Sequence, residues 1–193
     1  MKDLLVFLAD GFEEIEALSV VDILRRGGLS VDTCSIKDSK KVTGAHEVTV
    51  LADTNIDEIK IDDYRALYIP GGQPGATNLE NEPRVIEIVE MFAENDKNVA
   101  AICAGPQVFD RAKLLREGKY TCYPGVEKRL NTQGREDKAV VVDENVITAM
   151  GPAFSPFLGC KLLEILGGKK EAKEVYKAFL LDKLSDFIKK DEI

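Results

Sequence analysis

Short apolar runs closed by turn residues alternate along this chain with longer stretches in which apolar side chains recur every three or four positions. The short runs are Leu4 to Leu8, Ser30 to Ile36, Ala66 to Ile69, Val99 to Cys103, Lys119 to Cys122, Ala139 to Val142 and Val146 to Thr148, and each predicts a strand. The longer stretches predict helices. In the first, Ala17, Val20, Val21 and Leu24 stand at i, i+3, i+4 and i+7, Arg25 and Arg26 occupy the last turn, and Gly27-Gly28 ends it. A second begins at Pro83, where a missing N–H costs nothing, and lines up Val85, Ile88, Val89 and Phe92. A third follows Cys103 directly. Further helices are predicted over Phe154 to Leu166 and over Lys170 to Ile188, the latter with the mixed charges of a solvated outer layer. Thr43 to Leu51, with Gly44 and the alternating Val48 and Val50, predicts a small β excursion outside the main sheet.

Strands alternating with helices of this length predict an α/β fold: a mostly parallel central sheet with helices on both faces. A length of 193 residues suits one such domain over residues 1–193, with a C-terminal helix (about 170–190) packed on it. Ligands of such sheets gather beyond the carboxyl ends of the strands. Here those ends carry Asp10-Gly11, Pro70-Gly71-Gly72, Cys103-Ala104-Gly105-Pro106, Tyr123-Pro124 and Gly151-Pro152, so one rim holds the candidate chemistry.

Charge narrows the partners. With 34 acidic against 26 basic side chains the chain carries a formal charge of -8 and has no basic stripe, which argues against nucleic acid and anionic membrane as partners. The only apolar run near the start, Leu4 to Ala9, is too short for a membrane span and lacks a small-residue cleavage site, so a cytoplasmic location is expected. Cys34, Cys103, Cys122 and Cys160 stand far apart with no Cys-x-x-Cys pair, as expected of reduced thiols without a bound metal.

Among the rim residues Cys103 stands out. It is the middle residue of an elbow in which small neighbours permit a sharp turn, and the helix that follows is expected to favour its thiolate. A buried, inert cysteine at a strand end fits the same local pattern. Glu16 shares a helical stripe with Val20 and Ile23, where apolar surroundings raise a carboxyl pKa, although a solvated helix-start glutamate would look the same; Glu13 and Glu14 need only a favourable first turn. Pro70-Gly71-Gly72 frees backbone N–H groups to converge on an anion, or forms a plain βα turn. Without a Gly-Lys-Ser/Thr ending it is not a nucleotide P-loop, and no cofactor is expected. His46, the only histidine, lies in the β excursion as a solvated side chain or a contributor to the rim.

Together these residues resemble the ThiJ/PfpI superfamily, specifically its DJ-one branch. The likeness rests on Ala9-Asp10-Gly11-Phe12-Glu13-Glu14-Ile15-Glu16, on Pro70-Gly71-Gly72 with Gly75-Ala76 and Asn78-Leu79, on Ala100 to Pro106, and on Gly151-Pro152. The resemblance implies a flavodoxin-like three-layer sandwich related to class I glutamine amidotransferases. It carries the family's reactive cysteine onto Cys103, its partner carboxylate onto Glu16, and its oxyanion donors onto the backbones of Gly72 and Ala104. Tyr123, Gly71, Pro152 and His46 become candidates for the substrate pocket. It also implies a homodimer built on the first helix, with Asp22 and Arg26 at the interface and His46 near the partner's rim. Three positions depart from relatives: Ala104 stands where the peptidase branch has histidine, Tyr123 where the DJ-one branch often has histidine, and Met150 where some relatives have arginine. Peptidase chemistry is therefore not expected. The resemblance implies cysteine-dependent glyoxalase- or deglycase-like chemistry on a small 2-oxoaldehyde, in oxidative or carbonyl stress. The alternative is a non-enzymatic redox sensor or chaperone-like protein in which an oxidant modifies Cys103.

Overall fold

A computed structural model describes residues 1–184 and Asp186. Its centre is β1 (Lys2–Leu8), flanked by two parallel neighbours, β2 (Val31–Ser35) and β6 (Tyr64–Ile69). The seven-stranded order is β5-β2-β1-β6-β7-β9-β8, completed by β5 (Thr54–Asn55), β7 (Asn98–Ile102), β8 (Val140–Asp143) and β9 (Val146–Ala149). Only the edge strand β8 runs antiparallel to its neighbour. The expected mostly parallel α/β sheet is thus observed.

The alternation within β1 shows why both faces are covered. Leu4, Val6 and Leu8 enter one apolar cluster together with Ala17, Val20, Val21 and Leu24 of α1 (Glu14–Arg26) and Leu158, Leu162 and Leu163 of α5 (Ser155–Leu166). Leu5, Phe7 and Ala9 enter the other, with Val85, Ile88, Val89 and Phe92 of α3 (Pro83–Glu94) and Val108 and Phe109 of α4 (Pro106–Arg111). Successive strand residues point to opposite faces, so a run apolar at every position can be satisfied only between two helical layers. Each fully buried leucine contributes about 2 kcal/mol by removal of its apolar surface from water. At the end of α1, Gly27 lets α5 approach closely: a Cβ there would lie 2.4 Å from Leu163 Cδ1 and the leucine would have to shift.

Some local predictions differ from the structure. Lys119 to Cys122 is not a strand. Its backbone partners are scattered: Thr121 N–H donates to the Thr148 hydroxyl, Tyr123 N–H to the Cys103 carbonyl, and the Tyr120 carbonyl accepts from Glu136. No continuous ladder forms. The Val99 run stops at Ile102, leaving Cys103 in the turn, and a short helix α2 (Gly75–Glu80), which the sequence reading did not assign, follows Pro74. The predicted helix over Lys170 to Ile188 is α6 (Lys169–Ala178), which ends before Leu180 at a positive φ of 60°. The end of that prediction, residues 185 and 187–188, lies outside the described residues. The β excursion forms as the antiparallel hairpin β3 (Lys41–Thr43) and β4 (Thr49–Leu51). Among the described residues no helix is long and apolar enough to cross a membrane.

Candidate functional site

The chain direction across the sheet reverses between β1 and β6, because β2 lies on one side of β1 while β6 and β7 extend the other. Such a switch point opens a crevice beyond the carboxyl ends of the strands. Three segments meet there: the start of α1 after β1, Gly71-Gly72 after β6, and Cys103-Ala104 after β7.

Cys103 occupies an elbow held from both sides. Its N–H donates to the Ala149 carbonyl at 3.0 Å, and its carbonyl accepts from Tyr123 N–H at 3.0 Å. Between these anchors the residue adopts a φ of 61°, which costs a non-glycine residue about 1–3 kcal/mol. The neighbours make room for it. A Cβ on Gly105 would meet the Ile69 carbonyl at 2.6 Å, and one on Gly71 would lie 2.8 Å from the Cys103 Cβ and 2.5 Å from Glu16 Oε2. Cys103 is half-buried, whereas Cys34, Cys122 and Cys160 are buried.

Glu16 is fully buried on the first turn of α1. Its Oε2 accepts from Gly71 N–H at 2.8 Å, its carboxyl lies beside the Cys103 side chain, and Oε1 has no hydrogen-bond partner among the described residues. The Tyr68 hydroxyl donates to the Glu16 carbonyl at 3.0 Å and pins the backbone that carries it. Burial pushes the Glu16 pKa up to about 7; the neighbouring Cys103 thiol and the Gly71 N–H oppose that shift without cancelling it.

The thiol does not behave as its elbow alone predicts. Burial first, then the charge of Glu16, push the Cys103 pKa up, while the amides of Ala104 and Gly72 act in the opposite direction. A following helix of six residues cannot outweigh a carboxyl in contact with the sulfur. Once Glu16 is ionised its charge disfavours ionisation of the adjacent thiol, so the two titrate as a pair. Above about pH 7 the pair retains one proton between sulfur and carboxyl, and below it both are protonated. The expectation of a free thiolate is corrected to that of a shared proton.

The remaining candidates fall around this pair. Gly72 and Ala104 both turn their amides to the sulfur. Tyr123, 51% exposed, lies at the rim with its ring against Gly151, where a Cβ would be 3.1 Å from Cδ2. Pro152 begins the turn beside it. His46 sits elsewhere: its Nδ1 is 2.8 Å from Glu14 Oε2 and 3.6 Å from Glu13 Oε2, and its N–H donates to Glu14 Oε1. Glu14 is therefore more than a first-turn charge. It is buried and ties the β3–β4 hairpin to α1, a role that periodicity does not reveal. These carboxylates raise the His46 pKa, through the hydrogen bond to Glu14 first. As the only histidine, its ring resonances should titrate above the ordinary 6.5 in an NMR pH series and return toward it in Glu14→Gln. Because the folded-state pKa is the higher one, the contact stabilises most at low pH and loses strength as pH rises through it. Asp22 and Arg26 form an exposed i, i+4 ion pair at 2.7 Å, and the Arg26 guanidinium also lies 5.6 Å from the centre of the Phe179 ring.

The fold and sequence are shared with known proteins. The DJ-1/PfpI family profile matches residues 2–165. Protein dj-1beta of Drosophila melanogaster is 31% identical over 182 residues, which cover 93% of this chain and 97% of that protein. Protein DJ-1 homolog B of Arabidopsis thaliana is 32% identical over 179 residues, 92% of this chain, although the chain spans only 41% of that protein's length. The oxidised structure of Toxoplasma gondii DJ-1 superposes with a TM-score of 0.88 at 32% identity, covering 93% of this chain and 98% of that one. A fold matched along nearly its whole length and a profile covering most of the sequence lead to one conclusion: the chain belongs to the DJ-1/PfpI family.

Proposed function

We propose that the Cys103–Glu16 pair performs cofactor-independent chemistry on a small 2-oxoaldehyde such as methylglyoxal or its adducts. The observation that carries this reading is a fully buried carboxyl beside a half-buried thiol, its pKa pushed up to about 7 by that burial. A group of that pKa both takes and returns a proton at neutral pH, which supplies a base in a site where Tyr123 stands in place of the imidazole often found in the DJ-one branch. In the first step the sulfur forms a bond to the aldehyde carbon as its proton passes to the Glu16 carboxylate. The carbonyl π pair moves onto oxygen, where the amides of Gly72 and Ala104 are the available donors. Return of a proton to that oxygen gives a hemithioacetal. The test is methylglyoxal consumption by the wild type and by Cys103→Ala; equal rates overturn the reading.

A second reading, redox sensing, is supported by the contrast in exposure between Cys103 and the other thiols. Cys103 is half-buried at the rim, whereas Cys34, Cys122 and Cys160 are buried. The similar Toxoplasma gondii protein was solved in an oxidised form. Two equivalents of hydrogen peroxide would each transfer one oxygen to the sulfur and leave as water, giving a sulfinic acid that protonated Glu16 and the two amides can bind. Mass spectrometry after mild peroxide should place two added oxygens on Cys103, and even modification of all four cysteines would count against it.

We further propose that the chain pairs as a homodimer through α1. Ile15 and Leu18 are exposed there, and the hairpin tied to the helix start exposes Val48 and Leu51. Sedimentation should give twice the chain mass for the wild type and a shift toward one chain mass for Leu18→Glu; a monomeric wild type refutes it.

A further inference from the structure

A cleft of about 660 Å³ is lined by residues of α5, α6 and the start of β8, none of which belongs to the Cys103 site. Its wall is almost entirely apolar, built from Val140, Phe157, Cys160, Ala172 and Tyr176. The Phe157 and Tyr176 rings meet edge to face at 6.4 Å. Around this wall stand four lysines and one glutamate: Lys138, Lys161, Lys169, Lys173 and Glu164. Lys138 pairs with Glu136 and Lys161 with Glu164. Lys169 and Lys173 have no ion-pair partner among the described residues. In a chain with a formal charge of -8, this gathering of positive charge on an apolar recess is a local reversal of sign.

We propose that this cleft binds an amphipathic carboxylate, a small molecule with a hydrocarbon body and one anionic head. Three features select that class. The volume lies within the range of small-ligand pockets, and an apolar wall rewards a hydrocarbon rather than a polar body. Lysine stems lie along apolar surface while their ammonium groups reach outward, so the charge is at the mouth and not on the floor. Ammonium groups without the planar fork of arginine suit a single anionic head as point charges. The ligand's chain therefore lies against Phe157, Cys160 and Ala172, and its carboxylate meets Lys169 and Lys173. Neither Cys103 nor Glu16 takes part, so this proposal stands apart from the carbonyl chemistry.

Titration calorimetry on the full chain, with decanoate, decylamine and decanol as probes, tests it. Decanoate is expected to bind at least tenfold more tightly than decylamine or decanol, and Cys103→Ala to leave that affinity unchanged. The surface double variant Lys169→Glu/Lys173→Glu, which removes no buried group, should weaken decanoate at least tenfold, and Ala172→Phe, which fills the cleft, should abolish binding. Equal affinity for decanoate and decylamine, or an unaltered affinity in the lysine variant, overturns the proposal. So does an absence of binding to the full chain.

Discussion

Replacing Cys103 with alanine is expected to bring methylglyoxal consumption down to the uncatalysed background, a fall of at least about 10³-fold, the scale of loss when a nucleophile is removed. The substitution isolates the sulfur. Alanine retains a Cβ, so it meets the same cost at a φ of 61° and keeps the bonds of residue 103 to Ala149 and Tyr123. It also leaves the amides of Gly72 and Ala104 in place, so the loss reports the sulfur and not the donors around it. The measurement is disappearance of the aldehyde under saturating substrate, alongside an unfolding curve showing that the elbow persists. Retained turnover would assign the chemistry to other groups and remove the enzymatic reading.

Much of the frame was legible because hydrophobic periodicity and the layers of an α/β fold have one cause. A β1 run that is apolar at every position requires cover on both faces, and the stripes of α1 and α3 are that cover. Punctuation by glycine and proline marked the rim for a related reason: chain reversal at a crowded switch point leaves no space for side chains, as Gly71 and Gly105 show. Long-range relations were harder to read. Lys119 to Cys122 has the composition of a strand, but its amides find side-chain and turn partners instead of a ladder. The burial of Glu14 depends on His46, 32 positions away, and neither residue's neighbours signal the pairing. At Cys103 the elbow was foreseen and the electrostatics were reversed. A local pattern reports the dipole of the next helix, whereas the ionisation is governed by Glu16, delivered from another strand-helix unit.

Glu16→Gln should separate the stability and the chemistry of that carboxyl. Burial moves its pKa from 4.5 to about 7, so the folded chain retains a proton that the unfolded chain has released. Stability from this group is therefore present below about pH 4.5 and is lost as pH rises to about 7. At about 1.4 kcal/mol per pH unit, the charged carboxylate costs the fold about 3 kcal/mol above pH 7. Glutamine can still accept from Gly71 N–H and never ionises. Urea unfolding should then find the variant more stable than wild type at pH 8, by up to about 3 kcal/mol, with the difference vanishing near pH 4. Activity should move the other way. A carboxylate must take the thiol proton as the sulfur attacks, so wild-type kcat/KM is expected to rise with pH through about 7, as the pair gives up its first proton. Glutamine cannot accept that proton, and the rate should fall by about 10²–10⁴-fold while losing this limb of the profile. A stabilised and inactive variant at pH 8 is what a carboxyl kept at an energetic cost for proton transfer requires; a destabilised variant with an intact pH profile would make Glu16 a structural residue.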